Sequence, residues 1–581
     1  MNVRKMAGMA VVALLLAAGG AARAGSMEWS NPSGGYFSNP NNWWGRVVPG
    51  PSDSANFGSS LVGGASHSVW FNSNAETDSF NAGGANRIVT FELGGYTYTV
   101  MGSAPYSVNF AWGTVKVVSG TLSVPVGGVL LESDSKLFVS NGAALECSYA
   151  NIGQYFGSSS GELIVEQGGL AHVSNYLTLR PSGVTRLRTG SALNVDNWIE
   201  LIPSFWSPGA LIMEGGTVTV GYLLAPDGTV LEKGGAISGF GRIQGRVALG
   251  ASSTISANGG HLEVGDAALL DGFRTGGQID VGMAMLTLNS LAFAELGKLT
   301  TLEGGTLRAS NGVYLKGGNN ISGWGQINTS IAAATGSSIY ATGTVRLGDS
   351  NAFDGIDLDG RLFVRSHTVT LDDRNQAVLG ALTTIEGGVL AAPNGLLVNF
   401  GRNLVGRGLV ETPNDPTKPL TNNGTIAGDS MSEPLVLKGY VKGVGTVDNV
   451  VFEGTYAPGL SAARVYVGNA GFSQLSRLVM ELGGTGAGEY DQLFTSGVLN
   501  LGGTLHVELL GVFVPQYGSA FKLFNGNLAG TFEGVELPAL PMGLAWSTDV
   551  LHTGGTLSVV PEPATLSLLA LGGLAMLRRK K

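Results

Sequence analysis

Glu214-Gly215-Gly216-Thr217-Val218 is the first of three related pentapeptides; the other two are Glu-Gly-Gly-Thr-Leu at 303–307 and Glu-Gly-Gly-Val-Leu at 386–390. A second marker, which carries two glycines, follows each of them: Ser-Gly-Phe-Gly at 238–241, Ser-Gly-Trp-Gly at 322–325 and Val-Gly-Arg-Gly at 405–408. Two different markers that recur in the same order indicate that a long segment of the chain is repeated.

The spacing of the markers gives the length of this repeat. The first glycine of the second marker stands at 239, 323 and 406, so the interval between successive copies is nearly constant. Asp-Gly-Phe at 271–273 and Asp-Gly-Ile at 354–356 show the same interval. Shorter copies, both Gly-Gly-Thr-Leu, stand at 502–505 and 554–557. Markers that share one offset indicate duplication of a unit of about 83 residues.

Short apolar runs that end at glycines fill each unit, as in Thr-Val-Thr-Val at 217–220 and Leu-Thr-Leu at 286–288. Alternation of apolar and polar residues predicts strands with one buried face. Paired glycines permit the positive φ that a tight corner needs. We therefore predict an all-β fold, an elongated right-handed β-solenoid in which each coil packs on the next. With coils of roughly 20 residues, one unit corresponds to about four coils.

Composition agrees with this class and excludes others. Glycine accounts for 92 of 581 residues without a three-residue period, which excludes collagen, and recurrent Val, Ile and Leu argue against disorder. The net charge of −9 argues against nucleic acid as a partner. The single cysteine, Cys147, lies in an alternating strand pattern. We interpret Cys147 as a small buried residue and not as a catalytic thiol.

The patterns divide the chain into six segments: 1–24, a signal peptide; 25–58, an N-terminal cap; 59–205, a first solenoid part; 206–465, the solenoid with the long repeats; 466–558, a C-terminal β region; and 559–581, a sorting signal with a short hydrophobic helix. The cap segment contains Trp29, Trp43 and Trp44. We predict that these rings cover the exposed edge of the first coil, and a sugar-binding aromatic platform is the alternative.

The N-terminus has the features of a secretory signal peptide. Arg4 and Lys5 precede an apolar run, and Ala22 and Ala24 supply the small residues that a signal peptidase requires. Cleavage is expected before Gly25. A first membrane helix is the alternative, but the apolar run is shorter than the roughly 20 residues that a spanning helix needs.

The C-terminus combines three features in a fixed order. Pro561-Glu562-Pro563 precedes an uncharged, mostly apolar run at 564–577, and four basic residues follow: Arg578, Arg579, Lys580 and Lys581. Fourteen helical residues rise about 21 Å, which is short of a hydrocarbon core of roughly 30 Å. The basic residues should stay cytoplasmic, so that the body of the protein lies on the outer side of the inner membrane. A permanent tail anchor is the alternative.

This order of features resembles the PEP-CTERM sorting signal of Gram-negative bacteria. The resemblance implies processing near Pro561, Glu562 and Pro563 by an exosortase, followed by placement at the cell surface or in the extracellular matrix. A second resemblance rests on Ala-Pro-Gly-Leu-Ser at 457–461 and Tyr-Asp-Gln-Leu at 490–493. This succession is similar to the C-terminal β region of autotransporter-like passenger proteins.

Acidic residues supply the candidates for chemistry. Asp354, Asp357 and Asp359 offer oxygen ligands to Ca²⁺, but only Asp354 has an acidic counterpart, Asp271, in the preceding unit. We therefore predict no metal site. The six histidines are scattered without a His-x-x-x-His pair, and no nucleotide-binding loop is followed by a helix. No cofactor is expected.

Two further acidic positions receive structural interpretations. We predict that Asp491, after Tyr490, caps a turn between strands, and that Asp372 and Asp373 form a solvated turn. Charged residues are sparse and none of them forms a local catalytic cluster. Solenoid geometry can nevertheless bring distant carboxylates into one groove, so the alternative of a polysaccharide lyase or glycosidase stays open.

The sequence as a whole predicts a non-enzymatic, exported protein of structural or adhesive function. We expect it to use the secretion translocon, to be tethered briefly to the inner membrane, to be processed by an exosortase and to reach the surface or matrix of a Gram-negative cell. Extracellular polysaccharide is the candidate ligand.

Overall fold

The computed structural model describes residues 24–58, 66–140, 142–154, 159–204, 207–225, 234–352 and 354–562, together with 571, 572 and 574. Strands account for 61% of the chain and parallel β-solenoid coils form the body, so the predicted all-β solenoid is confirmed. The handedness of the coil stays a prediction. The chain divides into two compact units, Met1–Leu177 and Thr178–Lys581, and the predicted segment limits stay predictions.

The described part of the first unit contains two 3₁₀ turns, Pro40–Asn42 and Trp44–Arg46, and fourteen strands, with a fifteenth that runs past its end. The strands are β1 Ser26–Glu28, β2 Gly35–Tyr36, β3 Ser54–Phe57, β4 His67–Trp70, β5 Ala75–Thr77, β6 Ser79–Gly83, β7 Ile88–Glu92, β8 Thr97–Val100, β9 Val108–Ala111, β10 Thr114–Val118, β11 Thr121–Glu132, β12 Ser135–Ser140, β13 Ala144–Ile152, β14 Gly161–Val165 and β15 Leu170–Leu179.

Aromatic rings fill the interior of this first unit. Phe57, Phe80, Phe91, Tyr98 and Phe110 are all buried. We call these five residues the aromatic cluster. Their ring centroids lie 5.0 to 5.9 Å apart, many of them edge to face. Edge-to-face contacts suit aromatic quadrupoles, so the rings interlock across successive coils.

The cap segment covers the end of this cluster. Trp29 and Trp43 are buried, and their rings meet edge to face at 5.1 Å. The ring of Trp43 lies 5.4 Å from that of Phe57, and its indole N–H donates to the carbonyl of Phe37. This arrangement supports the predicted cap. Because Trp29 and Trp43 are buried and only Trp44 is exposed, the three rings do not form one exposed sugar-binding platform.

The second unit begins within β15, and α1 Leu551–Gly554 is a short helix near its C-terminal end. Its next strands are β16 Gly183–Arg188, β17 Ala192–Leu201, β18 Ala210–Ala225, β19 Ala236–Leu249, β20 Thr254–Asp266, β21 Phe273–Thr275, β22 Gln278–Asp280, β23 Met285–Ser290, β24 Ala294–Leu296, β25 Leu299–Ala309, β26 Val313–Leu315, β27 Asn320–Ile327, β28 Ile331–Ala333, β29 Ser338–Asp349, β30 Ile356–Leu358, β31 Arg361–Arg365, β32 Thr368–Asp373, β33 Ala377–Val378 and β34 Leu382–Ala391.

The remaining strands lead to the C-terminal end of the described chain. They are β35 Leu396–Val398, β36 Asn403–Glu411, β37 Leu420–Asn422, β38 Thr425–Gly428, β39 Leu435–Lys438, β40 Tyr440–Gly443, β41 Thr446–Asp448, β42 Val450–Phe452, β43 Thr455–Pro458, β44 Arg464–Val467, β45 Ala470–Phe472, β46 Arg477–Leu482, β47 Gln492–Leu501, β48 Thr504–Leu509, β49 Ala520–Lys522, β50 Phe524–Gly530, β51 Gly534–Glu536, β52 Leu544–Ser547 and β53 Thr556–Pro561.

Four coils make one repeat of the second unit, as predicted. Leu299 pairs in parallel with Asn320, Asn320 with Ser338, Ser338 with Arg361, and Arg361 with Leu382. The interval from Leu299 to Leu382 equals the interval between successive sequence markers. The repeat offset therefore corresponds to four parallel ladder steps.

The two glycine markers lie one above the other in neighbouring coils. Gly239, Gly323 and Gly406 pair with Met213, Leu302 and Ile385, which precede the three copies of the first marker. Each of these glycines has a positive φ, and a Cβ there would lie within 2.0 Å of the opposite carbonyl oxygen. Only glycine avoids this clash, which is why the marker recurs at this corner.

Branched, mostly aliphatic residues form a continuous inner row through the second unit. Each member pairs with the next in register, and every member is buried. The row consists of Leu211, Ile237, Ile255, Ile279, Thr300, Ile321, Ile339, Leu362, Thr383, Leu404, Ile426, Val447 and Val467. We call these residues the inner row. Their burial contributes the apolar stabilisation that holds the coils together.

Candidate functional site

The last described strand ends a small antiparallel sheet. β53 is its central strand, with β49 on one side and β52 on the other. Leu557 and Val559 of β53 are buried, whereas Thr556, Ser558 and Val560 are partly exposed. This alternation explains why the segment forms a strand with one face toward the core.

The sorting residues emerge directly from this strand. Pro561 is the last residue of β53 and lies opposite Leu544. The N–H of Glu562 donates to the carbonyl of Gly543 at 2.9 Å. Pro563, Arg578, Arg579, Lys580 and Lys581 lie outside the described residues. The strand crosses the predicted segment limit between 558 and 559, so that no linker separates the body from Pro561 and Glu562.

The Gly-Gly-Thr-Leu copy at 554–557 differs from the corners of the solenoid. Gly555 has a left-handed conformation that ends α1, and Thr556 then begins the antiparallel strand β53. In contrast, the copy at 502–505 leads into β48, which pairs in parallel with β46. The same four-residue motif therefore lies in a solenoid coil at 502–505 and in the terminal antiparallel sheet at 554–557.

No helix in the described part of the chain is long and apolar enough to cross a membrane. Most of the apolar run at 564–577 lies outside that part; Leu571, Gly572 and Leu574 are helical and exposed. At the other end, Ala22 is outside the described residues and Ala24 is exposed. The backbone N–H of Gly25 donates to the Asp53 carboxylate at 2.8 Å. The predicted cleavage position before Gly25 therefore lies next to an acidic side chain.

A groove on the surface of the second unit is the candidate ligand site. Its floor follows one row of parallel pairs, from Asp357 through Val378, Leu397 and Thr421 to Lys442. The groove has a volume of about 720 Å³. Because four strand spacings separate them, Asp357 and Lys442 lie about 19 Å apart. The groove therefore has an acidic end and a basic end.

Side chains from loops build the walls of this groove. Gln376 reaches across a neighbouring coil and donates to the carbonyl of Pro419 at 2.8 Å and to the hydroxyl of Thr421 at 3.0 Å. Lys418 lies on the same loop as Pro419, while Asp354 lines the acidic end. Sequence reasoning identified the aspartates but missed Lys418, in a loop, and Lys442, in β40, because only the stacking of the coils brings them to the same groove.

The acidic end of the groove has a distinctive electrostatic setting. Partial burial, with the nearby charges of Asp359 and Asp354, raises the pKa of Asp357, and Arg402 opposes this shift. Arg402 forms an ion pair with Asp359 at 2.5 Å. Across the described ranges no group of three or more His, Cys, Asp or Glu side chains is arranged to hold a metal ion. The groove offers carboxylates and ammonium groups to a polar ligand.

Asp372 and Asp373 do not form the solvated turn that we predicted. Both side chains are buried at the end of β32. Asp372 forms an ion pair with Arg346, and Asp373 accepts the backbone N–H groups of Ile356 and Asn375 at 2.8 and 2.7 Å. The prediction was wrong because a carboxylate at a coil end can hold the backbone of an adjacent segment. The separation of Arg346 and Asp372 along the chain, close to the length of one coil, was the available signal.

Asp491 is also buried and links separate segments. Its two carboxylate oxygens accept the backbone N–H groups of Ala463 at 2.7 Å and Glu481 at 2.8 Å. Burial raises its pKa to about 7. Asp491 therefore joins the segment at Ala463, in the preceding coil, to the end of β46 at Glu481, instead of capping a single turn as predicted. Cys147 is buried as predicted, and burial raises its pKa to about 12.

Comparison with protein families identifies the C-terminal segment. The model of the PEP-CTERM protein-sorting motif matches residues 559–581. No curated protein matches the chain. This motif indicates an exported protein that an exosortase processes, first anchored in the membrane and then placed at the cell surface. The matched segment begins within β53, so its first residues belong to the folded terminal sheet.

Proposed function

We propose that this protein is a non-enzymatic structural and adhesive component of the surface or extracellular matrix of a Gram-negative cell. It would leave the cytoplasm through the secretion translocon and be released from the inner membrane by exosortase processing. The observation that carries the proposal is the sorting motif, which follows a β-solenoid body without a linker. A stack of equivalent coils suits a structural protein because each coil presents its outer face in the same direction.

The groove supports an adhesive function toward polysaccharide. Its acidic and basic ends can hydrogen-bond to sugar hydroxyls and pair with charged sugar substituents. A ligand that contacts both Asp357 and Lys442 must be an oligomer, because these residues lie about 19 Å apart.

The same distance argues against a lyase or glycosidase that uses these two groups together. Glycosidases need their two carboxyl groups within roughly 10 Å of each other, on opposite sides of one bond. The acidic and basic ends of the groove exceed this separation. The carboxyl groups of Asp354, Asp357 and Asp359 lie together at the acidic end, so a glycosidase that uses two of them stays the alternative.

A sorting experiment in the native host tests the first part of the proposal. Glu562→Ala/Pro563→Ala changes the motif but leaves Pro561 and the pairing of β53 in place. Glu533→Ala/Pro393→Ala is the matched control, because it removes an exposed glutamate and an exposed proline elsewhere in the second unit. We expect only the motif variant to keep its tail and to accumulate in the inner membrane, as followed by mass spectrometry and fractionation. Identical processing of both variants would contradict the sorting function.

A polysaccharide retention assay tests the adhesive part. We expect acidic and neutral polysaccharide columns to retain the purified protein, with Lys442→Ala and Asp357→Ala each weakening retention at least about tenfold, by analogy with loss of a charged hydrogen bond. Thr254→Ala, an exposed strand substitution outside the groove, should bind like the wild type. Shortening of the polysaccharide would favour the enzyme instead.

A further inference from the structure

Two loops lie beside the point where the C-terminal tail leaves the terminal sheet. The inference about them rests on the proposed function. We infer that residues 510–519 and 537–543 form a contact surface for the lipid bilayer while the precursor is tethered by its tail. We call these two loops the membrane collar. The partner is the phospholipid surface itself.

The antiparallel sheet places both loops at the end where the tail emerges. Ala520, the first residue of β49, pairs with Ser558, and Leu544, the first residue of β52, pairs with Pro561. Because both neighbours run opposite to β53, they begin where β53 ends. The loops that precede β49 and β52 therefore flank the last residues of β53.

Backbone hydrogen bonds tie both loops to the tail exit. Gly518 of the first loop donates to the carbonyl of Val559 at 3.1 Å, and Val559 donates to the carbonyl of Ser519 at 2.9 Å. Gly543 of the second loop accepts the N–H of Glu562 at 2.9 Å. The collar is thus fixed within a few residues of the point where the chain continues into the apolar run.

Most exposed side chains of the collar are apolar, with Gln516 as a polar exception, and neither loop contains a charged residue. Val512 is 98% exposed, Tyr517 is 70% exposed and Met542 is fully exposed. Exposed apolar groups that cluster in this way mark an interaction surface. Tyrosine beside aliphatic residues is also the composition that favours the membrane–water interface.

The length of chain after Glu562 determines what covers the collar. Only Pro563 separates Glu562 from the apolar run that begins at Ala564. Two extended residues span at most about 7 Å, which is comparable with the polar headgroup layer on one side of a bilayer. The run of fourteen residues is itself shorter than the hydrocarbon core, so it draws the body toward the lipid. Once the tail is inserted, the collar lies at the bilayer surface.

Site-specific fluorescence on the full-length protein tests this inference. Single cysteines at Val512, Tyr517 and Met542 would carry an environment-sensitive fluorophore, and the native Cys147 is buried in the first unit. Met283→Cys is the matched control, since Met283 is 85% exposed in the repeat region. Leu571→Cys reports on insertion of the tail. The probe is a vesicle of phosphatidylethanolamine and phosphatidylglycerol that contains nitroxide-labelled lipid.

We expect nitroxide quenching and a blue shift at the three collar positions and at Leu571→Cys, with no change at Met283→Cys. Quenching at Leu571→Cys alone would overturn the collar while leaving the sorting function intact. Absence of quenching at Leu571→Cys would overturn both. A blue shift at the collar without vesicles that grows with protein concentration would assign the surface to a second copy of the chain, and would also overturn the inference.

Charge substitution gives a second measurement of the same surface. Val512→Asp/Met542→Asp should lower the vesicle partition coefficient of the full-length protein at least about tenfold, because two exposed apolar contacts with lipid are lost. Met283→Asp should leave partitioning unchanged. Thermal unfolding verifies that each variant folds. Equal partitioning of a folded collar variant and the wild type would contradict the inference.

Discussion

The aromatic cluster of the first unit and the inner row of the second unit fill the same kind of space with different side chains. In the cluster, Phe80 meets the rings of Phe57, Phe91, Tyr98 and Phe110, so one side chain contacts several coils. In the inner row each residue stacks on the equivalent residue of the next coil. Repetition requires side chains that can follow one another at the strand spacing, and branched aliphatic residues meet this requirement.

This difference has an energetic consequence. Loss of one interlocked ring removes contacts in several directions, whereas loss of one member of the inner row affects mainly its two neighbours. The first unit should therefore contain a few positions with large effects, while the second unit should show many positions with similar effects. Substitutions that remove one side chain at a time measure this contrast.

The largest effect is expected at the centre of the aromatic cluster. Phe80→Ala should lower the free energy of unfolding by about 4 kcal/mol, because it removes a fully buried ring and leaves a cavity. Chemical unfolding of the purified protein measures this change. Phe400→Ala is the matched control, since Phe400 is 92% exposed, and its effect should stay within about 0.5 kcal/mol. Equal effects at the two positions would refute the role of the cluster.

Two members of the inner row should respond alike. Ile321→Ala and Leu404→Ala replace residues that occupy corresponding places in successive repeats, one repeat length apart. Each should lower the free energy of unfolding by about 3 kcal/mol. Leu475→Ala, at a position 87% exposed, serves as the control. If the losses of unfolding free energy in the two variants differed by about 3 kcal/mol, the two repeats would not be energetically equivalent.

The buried carboxylate of Asp491 should make the stability of the protein depend on pH, an effect that neither the aromatic cluster nor the inner row produces. The pKa of Asp491 rises from 3.8 to about 7 on folding, so the folded protein keeps a proton that the unfolded chain has lost. Raising the pH from 3.8 to about 7 therefore lowers the contribution of Asp491 to stability. We expect Asp491→Asn to flatten the dependence of stability on pH in this window, with the exposed Thr254→Val, which changes no titratable group, as the control. An unaltered profile for Asp491→Asn would contradict the shift.

The smallest effect is a gain in stability within the inner row. Thr300 and Thr383 are buried members of the row, and their hydroxyl groups have no hydrogen-bond partner among the described residues. Valine has the same shape without the hydroxyl, so Thr300→Val and Thr383→Val should each stabilise the protein by about 1 kcal/mol. Thermal or chemical unfolding provides the measurement, with the exposed Thr254→Val as control. Destabilisation by both valines would indicate that the hydroxyls are bonded.

Sequence periodicity predicted the solenoid well because its determinants are local and recurrent. The glycine of the second marker must lie beside a carbonyl oxygen, and no other residue fits at Gly239, Gly323 or Gly406. The length of the repeat likewise corresponds to four successive parallel pairings between neighbouring coils. The burial of Cys147 was evident from its place in an alternating strand.

Contacts between residues of different coils escaped prediction because they depend on the register in which the coils stack. Asp372 and Asp491 look like ordinary turn residues until the stacking brings Arg346, Ala463 and Glu481 beside them. The groove depends in the same way on Lys442, which lies four ladder steps from Asp357. Such pairings carry no signature in a single segment of sequence.

The terminal sheet illustrates both what the sequence alone determined and what only the folded structure decided. The sequence by itself determined the coil repeat, the class of fold and the presence of a sorting motif, because glycine corners, alternation and the order Pro-Glu-Pro, apolar run and basic end are local patterns. Only the tertiary structure decided that β53 runs into that motif and that two uncharged loops flank its exit. Antiparallel pairing places the beginnings of β49 and β52 beside the end of β53, and such pairing is a property of the folded chain.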